Sequence, residues 1–171
     1  MSFVNKTHIV FLSIGSNLGD RNQNIQVCLD NIKRIGKIIK ISSIIETKPY
    51  EVSIQQNDFF NLVIKLTYQD SPQKLLLELN EIEEKMGRVR RGIKNEPRII
   101  DIDIIFFDKK IVNEVNLEIP HPRYSDRLFV LIPMNEIASN FKDPKTKKRV
   151  SEILKNTQNR SNKINYHCYK N

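Results

Sequence analysis

The sequence predicts an α+β fold of the ferredoxin-like kind, a βαββαβ sandwich in which two helices pack on an antiparallel sheet and C-terminal additions follow. Three observations predict it. Four stretches rich in β-branched and aromatic residues, 8–14, 38–47, 59–67 and 97–107, have strand composition. Two segments of similar length repeat apolar residues at helical spacing. One of these lies between the first and second strands and the other between the third and fourth, which is the required order.

Taken in order, residues 8–14 read as a buried strand, and Gly15-Ser-Asn-Leu-Gly-Asp20 as the tight turn that ends it. Asp20 or Asn17 supplies a cap for the helix that follows. Its stripe of Ile25, Cys28, Leu29, Ile32 and Ile35 stops at Gly36. Residues 38–47 and 59–67 are the next two strands. The polar stretch 48–58 between them is long for a hairpin turn and has the length of a functional lid. Ser71-Pro72 opens the second helix with a cap residue and a first-turn proline. Leu75, Leu76, Leu79, Ile82 and Met86 form its inner face, and Gly87 closes it. An arginine-rich loop then leads into the fourth strand. Residues 116–120 add a short strand, 121–127 a polar turn, and 128–138 a last core segment.

At 171 residues the chain fits one domain with a proper core. We place that domain at 1–155, with a basic polar tail at 156–171. No apolar run approaches the roughly 20 residues of a membrane span, and the start lacks a signal-peptide pattern. Cys28 sits on an apolar helix face and Cys168 in the polar tail, so a cytoplasmic chain with reduced thiols is expected. The net charge of +8 is unevenly placed. Residues 142–171 hold nine Lys/Arg and two Asp/Glu, whereas the first 141 hold 19 and 18. Without motif spacing this basic excess reads as a solvated tail, and neither a nucleic-acid nor a membrane partner is expected.

Residues 97–107, Pro-Arg-Ile-Ile-Asp-Ile-Asp-Ile-Ile-Phe-Phe, carry the chemistry. Side chains alternate along a strand, which puts Ile100, Ile102, Ile104 and Phe106 on one apolar face. Ile99, Asp101, Asp103, Ile105 and Phe107 share the other. Two carboxylates thus sit roughly 7 Å apart in an apolar strand. Repulsion and desolvation demand something positive beside them. That is either an arginine pair or a hard divalent cation such as Mg²⁺. Just upstream, Arg88, Arg90, Arg91, Lys94 and Arg98 face a single Glu96. Acids suited to metal beside a glycine-containing arginine loop suggest a polyphosphate site.

Four signatures stand in a fixed order: Gly15-Ser-Asn-Leu18; Asp58-Phe-Phe-Asn61; Gly87-Arg-Val-Arg90 with Pro97-Arg-Ile-Ile-Asp-Ile-Asp103; and Pro120-His-Pro-Arg123 with Arg127-Leu-Phe-Val-Leu-Ile-Pro133. Together, over residues 8–155, they resemble the 6-hydroxymethyl-7,8-dihydropterin pyrophosphokinases of the folate pathway. That resemblance implies a ferredoxin-like fold and transfer of pyrophosphate from ATP to the pterin hydroxymethyl group, with release of AMP. By position it makes Asp101 and Asp103 ligands of two Mg²⁺ ions, and Arg88 and Arg98 the groups that neutralise the transferred phosphates. Glu83, Arg90, His121 and Arg127 match positions that contact ATP. Thr47, Phe59, Asn61 and Phe129 match the pterin pocket, two rings stacking on the heterocycle and the amide reading its edge. ATP and the hydroxymethyl-dihydropterin are then the partners of a monomer. Residues 48–57 and 88–96 would close over both substrates. The sequence departs from the family at Asn95-Glu-Pro-Arg98, where many members carry Trp-Gly-Pro-Arg, and at Phe59, often a tyrosine.

The rival class is a single-stranded RNA-binding ferredoxin-like module. Its third strand should carry a Gly-aromatic-Gly/Ala-aromatic pattern, and residues 59–67 have none.

Overall fold

A computed structural model describes residues 6–49, 55–89, 96–160 and 166–169. Its sheet is built outward from β1 (His8–Ser16), which pairs along its whole length with β4 (Phe59–Tyr68) and on the other side with β5 (Asp101–Phe107). The far edge of β4 takes β2 (Lys37–Ile41) and then β3 (Ile44–Thr47). With β8 (Tyr166–Tyr169) at the edge, the order is β5-β1-β4-β3-β8 with β2 beside β4, and every pairing is antiparallel. Counting β2 and β3 as one broken strand, this is the ferredoxin-like arrangement.

Helices α1 (Arg21–Ile35) and α2 (Pro72–Lys85) cover one face. There Val10, Leu12 and Ile14 of β1 and Leu62, Ile64 and Leu66 of β4 meet Cys28, Ile32, Leu75 and Leu79. The caps are local chemistry: Asp20, not Asn17, accepts from Gln23 N at 3.0 Å, and Ser71 accepts from Lys74 N at 3.2 Å. The opposite face is covered as well. Residues expected only as a core segment form α3 (Leu128–Ala138), which packs with α4 (Val150–Arg160) over Phe11, Val63, Ile105 and Phe106. The central strands β1, β4 and β5 are therefore covered on both faces.

Other expectations change in detail. The second strand breaks at Ser42-Ser43, where side chains replace ladder bonds. Ser42 Oγ accepts from Val63 N at 2.9 Å, and Ser43 donates from both N and Oγ to the Glu136 carboxylate. Strand β5 begins only at Asp101. Its register against β1 shifts between Phe11 and Leu12, so Ile105 and Phe106 both face α3 while Phe107 joins Ile102 and Ile104 on the α1/α2 side. Simple alternation had put Phe106 there instead. The short strand near 116–120 is half of a hairpin, β6 (Val112–Glu114) with β7 (Leu117–Ile119).

The boundary expected at 155 falls inside α4. Thr157 is buried and donates to Ser125 O at 2.8 Å, and β8 (Tyr166–Tyr169) pairs with β3. The C-terminal segment contributes structure as well as charge. Cys28 is buried and Cys168 exposed, both free. No helix among the described residues is long and apolar enough to cross a membrane.

Candidate active site

The site lies where the C-terminal end of β1 meets the start of β5. Pairing register places Asp101, Gly15, Asn61 and Ile45 in one row across four strands, with Asp103 beside Ser13 in a neighbouring row. Paired residues share a face, so Asp101, Asp103 and Asn61 all lie on the side opposite α1 and α2. Gly15 is the floor between them. A Cβ there would stand 3.2 Å from Asn61 Oδ1 and 3.8 Å from the Phe59 ring, so only glycine leaves that row open. Asn61 is buried, its amide turned by an Nδ2–H bond to Thr47 Oγ1 at 2.9 Å.

Each carboxylate is met by arginine. Asp101 is met by Arg88 at 2.5 Å and by Arg98 at 3.2 Å. Asp103 is met by Arg127 at 3.3 Å, with His121 Nε2 at 3.8 Å. Burial works against the Arg88 charge, but Asp101 and Glu83 outweigh it and raise its pKa. Asp103 is pushed above the ordinary aspartate range by its enclosure and by Asp101, against the opposing pull of Arg127. His121 is driven down to about 4 by burial and by Arg127 and Arg123, so its imidazole is neutral near pH 7. Its Nδ1 accepts from Arg123 N, which puts the remaining proton on Nε2, the nitrogen facing Asp103.

The arginines also link the two halves of the site. Arg98 lies over the Phe59 ring at 5.6 Å and Arg127 over Phe129 at 5.5 Å. The predicted residues thus form a connected set, running from Phe129 through Arg127 and the aspartates to Arg98 and Phe59. Glu83 sits differently from the nucleotide contact expected of it. It is buried, accepts from Arg88 and from Ile102 N at 2.7 Å, and so fixes the guanidinium to β5. Arg90 falls outside the described residues, as do 50–54 and 91–95 of the expected lids.

Sequence reasoning missed two residues. Asn17, part of the first signature but given no role beyond a candidate helix cap, is 1% exposed and bonds both to Arg98 and to the 56–57 segment. Arg21 binds Glu46 at 2.6 Å and Asp58 O at 2.8 Å while lying over Phe60 at 3.7 Å, which anchors the entry to β4. A polar residue in a strand-ending turn was the available signal for the first.

The donor set fits a hard divalent cation. Two carboxylates share a face and remain partly open, with side-chain exposures of 24% and 33%. Among the described residues no group of three His, Cys, Asp or Glu gathers. The other coordination positions would therefore belong to phosphate oxygens and water, the usual way Mg²⁺ is shared with a nucleotide. Asp101, Asp103 and Glu83 also balance Arg88, Arg98 and Arg127, so a polyphosphate entering here needs further positive charge to come with it.

Residues 11–139 match the family model described as 7,8-dihydro-6-hydroxymethylpterin-pyrophosphokinase. The chain is similar to a 2-amino-4-hydroxy-6-hydroxymethyldihydropteridine pyrophosphokinase of Aquifex aeolicus, with 36% identity over 84% of this chain and 89% of that protein. It is 42% identical to a folic acid synthesis protein of Dictyostelium discoideum across 80% of this chain, but spans only 20% of that longer protein's length. A crystal structure of Plasmodium falciparum HPPK-DHPS with pteroate shares the fold, with a TM-score of 0.73 at 18% identity over 94% of this chain and 44% of that one.

Proposed function

The chain belongs to the 7,8-dihydro-6-hydroxymethylpterin-pyrophosphokinase family, and we propose that it transfers the β,γ-pyrophosphoryl unit of ATP to the hydroxymethyl group of 6-hydroxymethyl-7,8-dihydropterin. AMP is the other product, and the reaction serves folate biosynthesis in the cytoplasm, with the protein acting as a monomer. The observation that carries this reading is the pair Asp101 and Asp103, each paired with arginine, opening beside the glycine floor and the buried amide of Asn61. Magnesium, expected as two ions held by Asp101 and Asp103, supplies charge neutralisation and Lewis acidity when bound.

The chain's own residues do the positioning, which is most of what phosphoryl transfer asks of a protein. Arg88 and Arg98 bind the transferred phosphates through guanidinium groups that stay charged and meet oxygens in pairs. Arg127 and the Nε2–H of neutral His121 hold phosphate oxygens on the Asp103 side. Phe59 and Phe129 flank the pterin. Thr47 orients the Asn61 amide so that its Oδ1 stands over Gly15 and accepts from the heterocycle's edge. A single-stranded RNA-binding module would need an open sheet face, and α3 and α4 occupy that face here. The test is Asp101→Asn and Asp103→Asn. Both should abolish turnover of ATP with the pterin while circular dichroism stays native; turnover within about threefold of wild type would sink the assignment.

A further inference from the structure

We infer that a cavity beside His121 binds a small phosphate-bearing anion outside the reaction centre. The inference rests on the cavity's own residues and goes beyond the proposed activity. The cavity holds about 290 Å³ and is walled by β7, the 3-10 turn Tyr124–Asp126, the 143–148 loop and α4. Lys145, Lys148 and Arg160 line it with positive charge, and Ser125 and Asn156 add hydrogen-bonding groups. His121 is a shared wall: its Nε2 faces Asp103, while the residue also lines the cavity.

The walls are fixed before any ligand arrives. Asp143 is buried, and both of its carboxylate oxygens are engaged. Oδ1 accepts from Lys145 N at 2.7 Å, and Oδ2 accepts from Tyr124 OH and from Thr146 Oγ1, each at 2.8 Å. The Asp143 backbone closes the loop, its N–H donating to Lys148 O at 3.0 Å and its carbonyl accepting from Lys147 N at 2.8 Å. Thr157 Oγ1, donating to Ser125 O at 2.8 Å, holds α4 against the 3-10 turn. The second carboxylate of the cavity, Glu118, is met by Lys145 Nζ at 3.0 Å. Three cations thus face two carboxylates that already have partners. Lys148 and Arg160 are the surplus, and among the described residues no carboxylate pairs with either. A lone surface lysine is simply solvated. Two surplus cations on one preformed concave wall concentrate their field on an entering anion. Phosphate oxygens accept from ammonium and guanidinium groups through strong, charge-assisted bonds. The walled shape suits a small anion better than a nucleic-acid strand, which needs an open track.

The experiment titrates sodium pyrophosphate, and AMP in parallel, into the full chain by calorimetry, with EDTA present so that no metal complex forms. Wild type should bind, and lose at least about fivefold in affinity between about 50 and about 300 mM salt. Lys148→Ala combined with Arg160→Ala, both at exposed positions, should weaken binding at least about tenfold. The same variant should keep its KM for ATP in the pterin-dependent reaction within about twofold of wild type. Of the two probes, the one bound more tightly through these residues identifies the source of the phosphate, a free polyphosphate or a nucleotide. Wild type that binds neither probe, or a double variant that binds both as wild type does, overturns the inference and leaves the proposed activity standing. A raised KM for ATP in the double variant makes the cavity part of the nucleotide site and overturns it too. So does a single-stranded RNA bound more tightly than either probe through the same two residues.

Discussion

Replacing Glu83 by glutamine tests whether this buried carboxylate organises the site or touches the nucleotide. Glu83 accepts from Arg88 and from Ile102 N at 2.7 Å, and its side chain is 3% exposed. Removing one partner of a buried pair usually costs about 3–5 kcal/mol. Glutamine keeps the shape and one acceptor, and Arg88 retains Asp101 at 2.5 Å, so the expected loss is about 1–3 kcal/mol. For a chain of this length each kcal/mol corresponds to about 2–4 °C, giving a fall in Tm of roughly 2–12 °C. The assay is thermal unfolding with urea denaturation as a check on m. A Tm within about 1 °C of wild type, with KM for ATP raised, would refute the reasoning and return Glu83 to direct nucleotide contact.

Gly15→Ala should fold and lose activity mainly through a higher KM for the pterin, because its Cβ would stand 3.2 Å from Asn61 Oδ1; an unchanged KM would mean the glycine floor is not part of the pocket. Asp108→Asn probes the clasp between β1 and the end of β5. Burial opposes the Asp108 charge, but bonds from His8 and Ile9 N outweigh it and depress the pKa. The stabilisation is therefore present above the unfolded aspartate value of about 3.9 and is lost as pH falls through the folded value. Asparagine tolerates the left-handed backbone at φ 48°, so the stability gap to wild type should narrow on acidification in denaturation curves; a widening gap would contradict this.

The fold was legible because each of the first six elements has its own local signal: helical stripes closed by Gly36 and Gly87, caps at Asp20 and Ser71, and strands of β-branched residues. Detail failed where a local rule met a tertiary constraint. The β1–β5 register shift exchanged Phe106 and Phe107, and the Ser43–Glu136 bonds broke the second strand, neither of which alternation can reveal. The second helical layer was missed because α3 is apolar nearly all round and carries Pro133, leaving no clear helical stripe. At the site, residue types and spacing singled out the aspartates and arginines. The role of Asn17 stayed hidden because its partners lie 39 to 81 positions away in sequence.

Pyrophosphoryl transfer is read out by the nucleotide released when purified protein meets Mg-ATP with and without 6-hydroxymethyl-7,8-dihydropterin. AMP is expected, formed only when the pterin is present, together with a pterin carrying two added phosphoryl groups. ADP, or nucleotide turnover independent of the pterin, would contradict it.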